Sequence, residues 1–124
     1  MDNLDTTFPS GADGLSSYEY LVNNINASAE EINRAVNQII TVDKSGQFSA
    51  SAARFLAAID HENFASQIDL LLKATIEKDR DQVYLSDLLS AVWGPDYTMH
   101  ADELRDKDDN FRRIYKRVHP SGII

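Results

Sequence analysis

The chain has 124 residues, a formal net charge of −8 and no cysteine. It is long enough to bury a core without covalent staples, and disulfides and thiolate metal sites are excluded. Its 43% hydrophobic and 26% charged content is that of a globular domain rather than a disordered or fibrous chain, and a pI near 4.7 argues against a large phosphate-binding surface. The start Met1-Asp2-Asn3 is neither basic nor followed by an apolar stretch, so no secretory signal is expected. No apolar run is long enough to cross a bilayer. A cytoplasmic location fits these features.

Residues 1–14 hold Pro9, Gly11 and Gly14 among scattered Asp and Thr, and read as a flexible acidic N-terminal arm, disordered or loosely docked. Ser16 or Ser17 can cap a short helix reaching about Asn26, with Tyr18, Leu21, Val22 and Ile25 on one face. Ser28-Ala29-Glu30-Glu31 has the form of a capping box, and the helix it opens turns Ile32, Ala35, Val36, Ile39 and Ile40 inward to about Val42. Asp43-Lys44-Ser45-Gly46 breaks it. Ser49 or Ser51 can cap a third helix from Ala52 to Ile59, anchored by Phe55, Leu56 and Ile59.

The stretch at about 62–78 is the expected centre of the fold. Phe64, Ile68, Leu71, Leu72 and Thr75 form one stripe, widened by Leu70, Ala74 and Ile76, so that only Ser66, Asp69, Lys73 and Glu77 face water. A helix apolar over more than half its circumference needs cover from several neighbours. Asp79-Arg80-Asp81 then reads as a polar hinge, and Ser86 as the cap of a helix burying Leu88, Leu89, Val92 and Trp93 until Gly94-Pro95. Thr98 starts another helix through Leu104, and Asp108 or Asp109 opens the last, carrying Phe111, Ile114, Tyr115 and Val118. No strand is expected. The fold class is all-α: a compact bundle of six or seven short helices as a single domain over 15–119, with 120–124 as a C-terminal tail.

Two helix–hinge–helix units superpose at an offset of 36 residues, Val36, Ile40, Asp43, Ser45 and Phe48 falling on Leu72, Ile76, Asp79, Asp81 and Tyr84. DKSGQFSASAARF and DRDQVYLSDLL thus resemble the Asp-led loops of an EF-hand pair. A calcium cage requires Gly at the sixth loop position and a bidentate Glu at the twelfth. Counting from Asp43 and Asp79, the twelfth positions are Arg54 and Ser90, and neither sixth position is Gly. The two units therefore read as ordinary helical hairpins.

Reactive constellations are absent from the sequence: there is no G-x-S-x-G elbow, Gly-rich phosphate loop or H-E-x-x-H. His100 can share a helical face with Asp96 and Glu103, but His61 and His119 supply no matching pair of ligands. The acid pairs Glu30/Glu31, Asp102/Glu103 and Asp108/Asp109 all fall at helix starts, where the macrodipole accounts for them. No enzyme activity, metal or cofactor is expected.

The most distinctive feature is charge placement. The first base is Arg34, and after Asp109 there are no acids, while Arg112, Arg113, Lys116 and Arg117 share one side of the last helix. These four are candidate contacts for an acidic partner or for the N-terminal arm, although a solvated face is the plainer explanation. Trp93 and Tyr97, flanking a Gly-Pro turn, can anchor a protein interface or close the end of the bundle. The expectation is a small acidic protein-binding module acting as an inhibitor, immunity-type or adaptor protein, with a homodimer possible and no membrane role. The alternative is a helix-turn-helix-like regulator setting the basic helix on nucleic acid, which the net charge disfavours.

Overall fold

The computed structural model describes residues 13–120; the expected flexible arm, up to residue 12, and the tail from 121 lie outside them. Seven α-helices follow one another: α1 (Gly14–Asn23), α2 (Ala29–Val42), α3 (Gln47–Asp60), α4 (Ala65–Lys78), α5 (Leu85–Trp93), α6 (Ala101–Lys107) and α7 (Asp109–Val118). A 3-10 turn, Tyr97–His100, leads into α6, and no strand occurs among the described residues. The chain is all-α, as its periodicity predicts.

The central helix is α4, which packs against α3, α2 and α7. It buries Gln67, Ile68, Leu71, Leu72, Ala74, Thr75 and Ile76, and the Thr75 hydroxyl is satisfied by donating to the Leu71 carbonyl at 2.8 Å. α1 lies across α2 and α3 on one side; α5 joins α3 to α7 on the other, and α6 rests on α7. Ala50, Ala52 and Ala53 on α3 are buried and small, which lets its backbone approach α4 closely. Two apolar residues expected inside are exposed, Leu70 at 44% and Ile59 at 53%. Both extend an apolar stripe beyond the arc that any neighbouring helix covers.

Side-chain acceptors mark where α1, α2, α3, α5 and α7 begin, and at α1, α3 and α5 they differ from the expectation; the helix expected from Thr98 begins at Ala101, behind the 3-10 turn, with no side-chain cap. α2 starts as predicted, the Ser28 hydroxyl accepting the Glu31 N–H at 3.3 Å. α1 is capped by Asp13, which accepts the Ser16 N–H at 2.9 Å, while Ser17 is buried inside the helix. Asp13 and Gly14 therefore belong to the helical domain rather than to the arm. α3 starts at Gln47 and α5 at Leu85, ahead of the serines expected to cap them. The capping groups are Asp43 and Asp79.

These two aspartates make the 36-residue repeat a structural one. Asp43 ends α2, then its carboxylate turns forward: Oδ1 accepts from the Ser45 and Gly46 N–H at 3.3 and 3.2 Å, and Oδ2 from Ser49 at 2.8 Å. Asp79 ends α4 and does the same, Oδ1 accepting from Val83 at 2.8 Å and Oδ2 from Tyr84 and Leu85 at 2.7 and 2.9 Å. Asp79 is thus buried (2% exposed) rather than part of a wet hinge, and Asp43 is equally enclosed. The equivalent positions Gly46 and Gln82 both take the left-handed conformation, φ +92° and +61°. Ile32/Ile68, Ala35/Leu71, Val36/Leu72, Ala52/Leu88, Ala53/Leu89 and Leu56/Val92 are buried at both members of each pair. The loops also touch: a Cβ on Gly46 would stand 3.1 Å from that of Asp79. The Asp-led likeness to an EF-hand has another physical basis here, since each carboxylate points at the N–H groups of the next helix.

Replacing Asp79 with Ala removes the acceptor for three backbone donors at a crowded, largely buried loop. An unsatisfied buried donor costs roughly 1–3 kcal/mol. Asp79→Ala is expected to lower unfolding free energy by about 3 kcal/mol or more in urea titrations at neutral pH. A loss within experimental error would show that water replaces the carboxylate.

Candidate functional site

The site expected from sequence divides into two parts in the fold. Asp108 caps α7 by accepting the Phe111 N–H at 3.1 Å, and its other oxygen accepts the Trp93 indole N–H at 2.9 Å. That bond holds Trp93 edge-on against Phe111, with ring centroids 5.1 Å apart. Tyr97 meets the same Phe111 ring edge-on at 6.2 Å, and its hydroxyl lies 3.4 Å from His119 Nε2. Trp93 and Tyr97 are half-buried and close the α5–α7 end of the core.

The cations occupy a different face. Arg112 and Lys116 are exposed and Arg113 and Arg117 half-buried, and all four line an open cleft of about 800 Å³ between α7 and the C-terminal part of α4. Ile76, Glu77, Arg80 and Asp109 complete the lining. Neither Trp93 nor Tyr97 reaches this cleft. Arg80, placed in the expected hinge, joins the cluster only because α7 folds back across the end of α4.

The cations have different duties. Arg117 donates from Nη1 to the Ile76 carbonyl at 2.5 Å, and from Nη2 to the carbonyls of Asp79 at 3.1 Å and Arg80 at 3.4 Å. The Ile76 carbonyl belongs to the last turn of α4, which lacks intrahelical donors, and those of Asp79 and Arg80 follow directly after it; a cation there also suits the helix dipole. Lys78 serves α2 in the same way, its ammonium donating to the carbonyls of Ile40 and Asp43. Arg112 pairs with Asp109. Among the described residues Arg80, Arg113 and Lys116 make no ion pair or side-chain hydrogen bond, and of the three the charge of Arg113 acts on Asp109.

The Asp109 carboxyl is held below the ordinary carboxylate range, first by the hydrogen bond from Arg112 and then by the charges of Arg112, Arg113 and Lys73. The sign follows directly. A lowered folded value means that the pairing contributes above the ordinary carboxylate range and is lost as pH falls through Asp109's own folded value. Because Asp109 is exposed, solvent screens the contribution to global stability.

His100 and Glu103 border a smaller cleft of about 340 Å³ with Asp102 and Arg105. Among the described residues no three histidines or carboxylates are placed to hold one metal ion. No helix of the described chain is long and apolar enough to cross a membrane. No protein-family model, curated protein or solved structure matches the chain.

Two outcomes test this division of labour. Arg117→Met leaves the carbonyls at the end of α4 without their cation and is expected to destabilise by about 1–3 kcal/mol, whereas Arg113→Met stays within about 0.5 kcal/mol in the same urea titration. In a carboxyl NMR titration Asp109 is expected to protonate below ordinary aspartates, and Arg112→Gln to move its midpoint upward. An unchanged midpoint in that variant would remove Arg112 as the main cause.

Proposed function

We propose that this protein is a non-enzymatic binding module that inhibits, neutralises or adapts another protein through the surface formed by α7 and the end of α4. The observation that carries the reading is the cleft itself. A chain of net charge −8 gathers Arg80, Arg112, Arg113, Lys116 and Arg117 around one concavity. Arg80 and Lys116 are left there without an ion pair or side-chain hydrogen bond among the described residues, and Arg113 meets only the charge of Asp109. The platform is stiff, since Asp108 caps α7 and Arg117 binds it to α4. Preorganised charge reduces the ordering cost of association and steers a complementary partner. A surface that served only solubility would gain nothing from concentrating cations in a hollow.

The geometry gives less support to a nucleic-acid regulator. A recognition helix must stand proud to enter a groove about 12 Å wide. Here the basic side of α7 forms a wall of the cleft, and the Gly94-Pro95 turn leads to a 3-10 turn and a seven-residue α6.

The test is capture from a lysate of the source organism on the immobilised full chain, comparing wild type with Arg113→Glu/Lys116→Glu after nuclease treatment. At least one protein is expected on wild type and reduced tenfold or more on the variant. Identical retained proteins on both would show that α7 is not the working surface.

A further inference from the structure

The cleft also indicates what kind of segment it accepts. Building on the binding reading above, we infer that the α4–α7 cleft takes an acidic peptide segment of a partner protein, rich in carboxylates and carrying an apolar side chain. Three features point the same way. Arg112 and Lys116 stand one turn apart on α7, so cationic groups repeat at about 6 Å along the helix axis, the first of them shared with Asp109. Carboxylates on alternate residues of an extended chain, or one turn apart on a helix, repeat at nearly the same interval. Arginine also offers a planar fork that holds a carboxylate by two hydrogen bonds, and Arg80 and Arg113 supply two that no internal carboxylate engages by hydrogen bond among the described residues.

The second feature is the lining between the cations. Ile76 underlies the cleft but is only 5% exposed; the long stems of the arginines and Lys116 carry apolar surface of their own, so an occupant gains from an apolar side chain as well as from charge. The third is the pair of acids, Glu77 and Asp109, on the same walls. A DNA duplex carries a charge at every nucleotide of each strand, keeps its bases stacked inside, and offers only sugar and phosphate to the apolar stems of the cleft. It would bring phosphates against both acids and against the excess negative charge of the whole chain. A peptide can place a neutral or basic residue opposite Glu77 and Asp109 and acids opposite the arginines. The mixed lining therefore selects for a peptide.

The experiment is backbone NMR of the full chain titrated with a synthetic peptide of about 12 residues, matched to the roughly 15 Å length of α7. The peptide bears Glu at i and i+4 positions and one Leu. Its Gln-for-Glu counterpart and a short DNA duplex serve as the comparison probes. Amide shifts are expected along α7 and the last turn of α4, at least tenfold weaker with the Gln peptide or with Arg113→Glu/Lys116→Glu. Arg112→Glu provides a second variant should the first be poorly folded by circular dichroism. Equal shifts with the two peptides, or displacement of the acidic peptide by DNA at lower concentration, would overturn the inference. Cleft signals moving with protein concentration alone would do the same, by assigning the groove to a second copy. If a lysate protein is held through α7 and the acidic peptide does not compete for it, this inference fails while the broader binding reading survives.

Discussion

The fold depends on how backbone polar groups are satisfied where the two central turns meet. At that point α2 and α4 end, α3 and α5 begin, and each terminus exposes donors or acceptors that its own helix cannot use. Four charged side chains deal with them. Asp43 and Asp79 collect the N–H groups that open α3 and α5, while Lys78 and Arg117 supply donors to the carbonyls that close α2 and α4. Anions thus sit at helix N-termini and cations at C-termini, which is also what the peptide dipoles favour. Each cation comes from a different helix than the one it closes, so the arrangement joins α2 to α4 and α4 to α7. Packing alone would hold these helices together; the four charges fix how the turns are arranged.

Much of this architecture is legible in the sequence, and the exceptions share a cause. The apolar spacing of α2, α4 and α7 and the Ser28 cap are local signals, and local rules read them correctly, although Glu31 turns to Arg34 rather than completing the box. Asp43 and Asp79 are not local in that sense. Asp79 accepts a bond from Leu85, six residues on, whereas a normal cap reaches two or three. Serines nearer the helix starts therefore look like better caps than the aspartates that do the work. Leu70 and Ile59 are apolar at nearly the right phase, yet no neighbour arrives to cover them. Periodicity reveals which face is oily but not how many helices will lie upon it.

The basic cleft is half visible in the sequence for the same reason. The four cations of α7 stand out because no acid follows Asp109. Their separate duties do not, since the carbonyls that engage Arg117 lie about forty positions earlier in the chain. Arg80 and Ile76 reach the cleft only through the crossing of α4 and α7. Trp93 and Tyr97 illustrate the converse. An aromatic pair on a Gly-Pro turn resembles an interface anchor, but the Trp93 bond to Asp108 and the shared contact with Phe111 give both rings an internal task.

The uneven distribution of charge also bears on motion in solution. Among the described residues, five of the twelve lysines and arginines face the cleft, against two of the eighteen acids (the twenty of the chain less Asp2 and Asp5), so the remaining described residues carry a marked acidic excess. Charge divided in this way sets a positive region over α7 within an otherwise negative surface. A negatively charged molecule drifting toward it is repelled from most directions and turned to approach from one, within a range of about a Debye length of roughly 8 Å in physiological salt. Diffusion itself becomes directional at close range, before any contact is made.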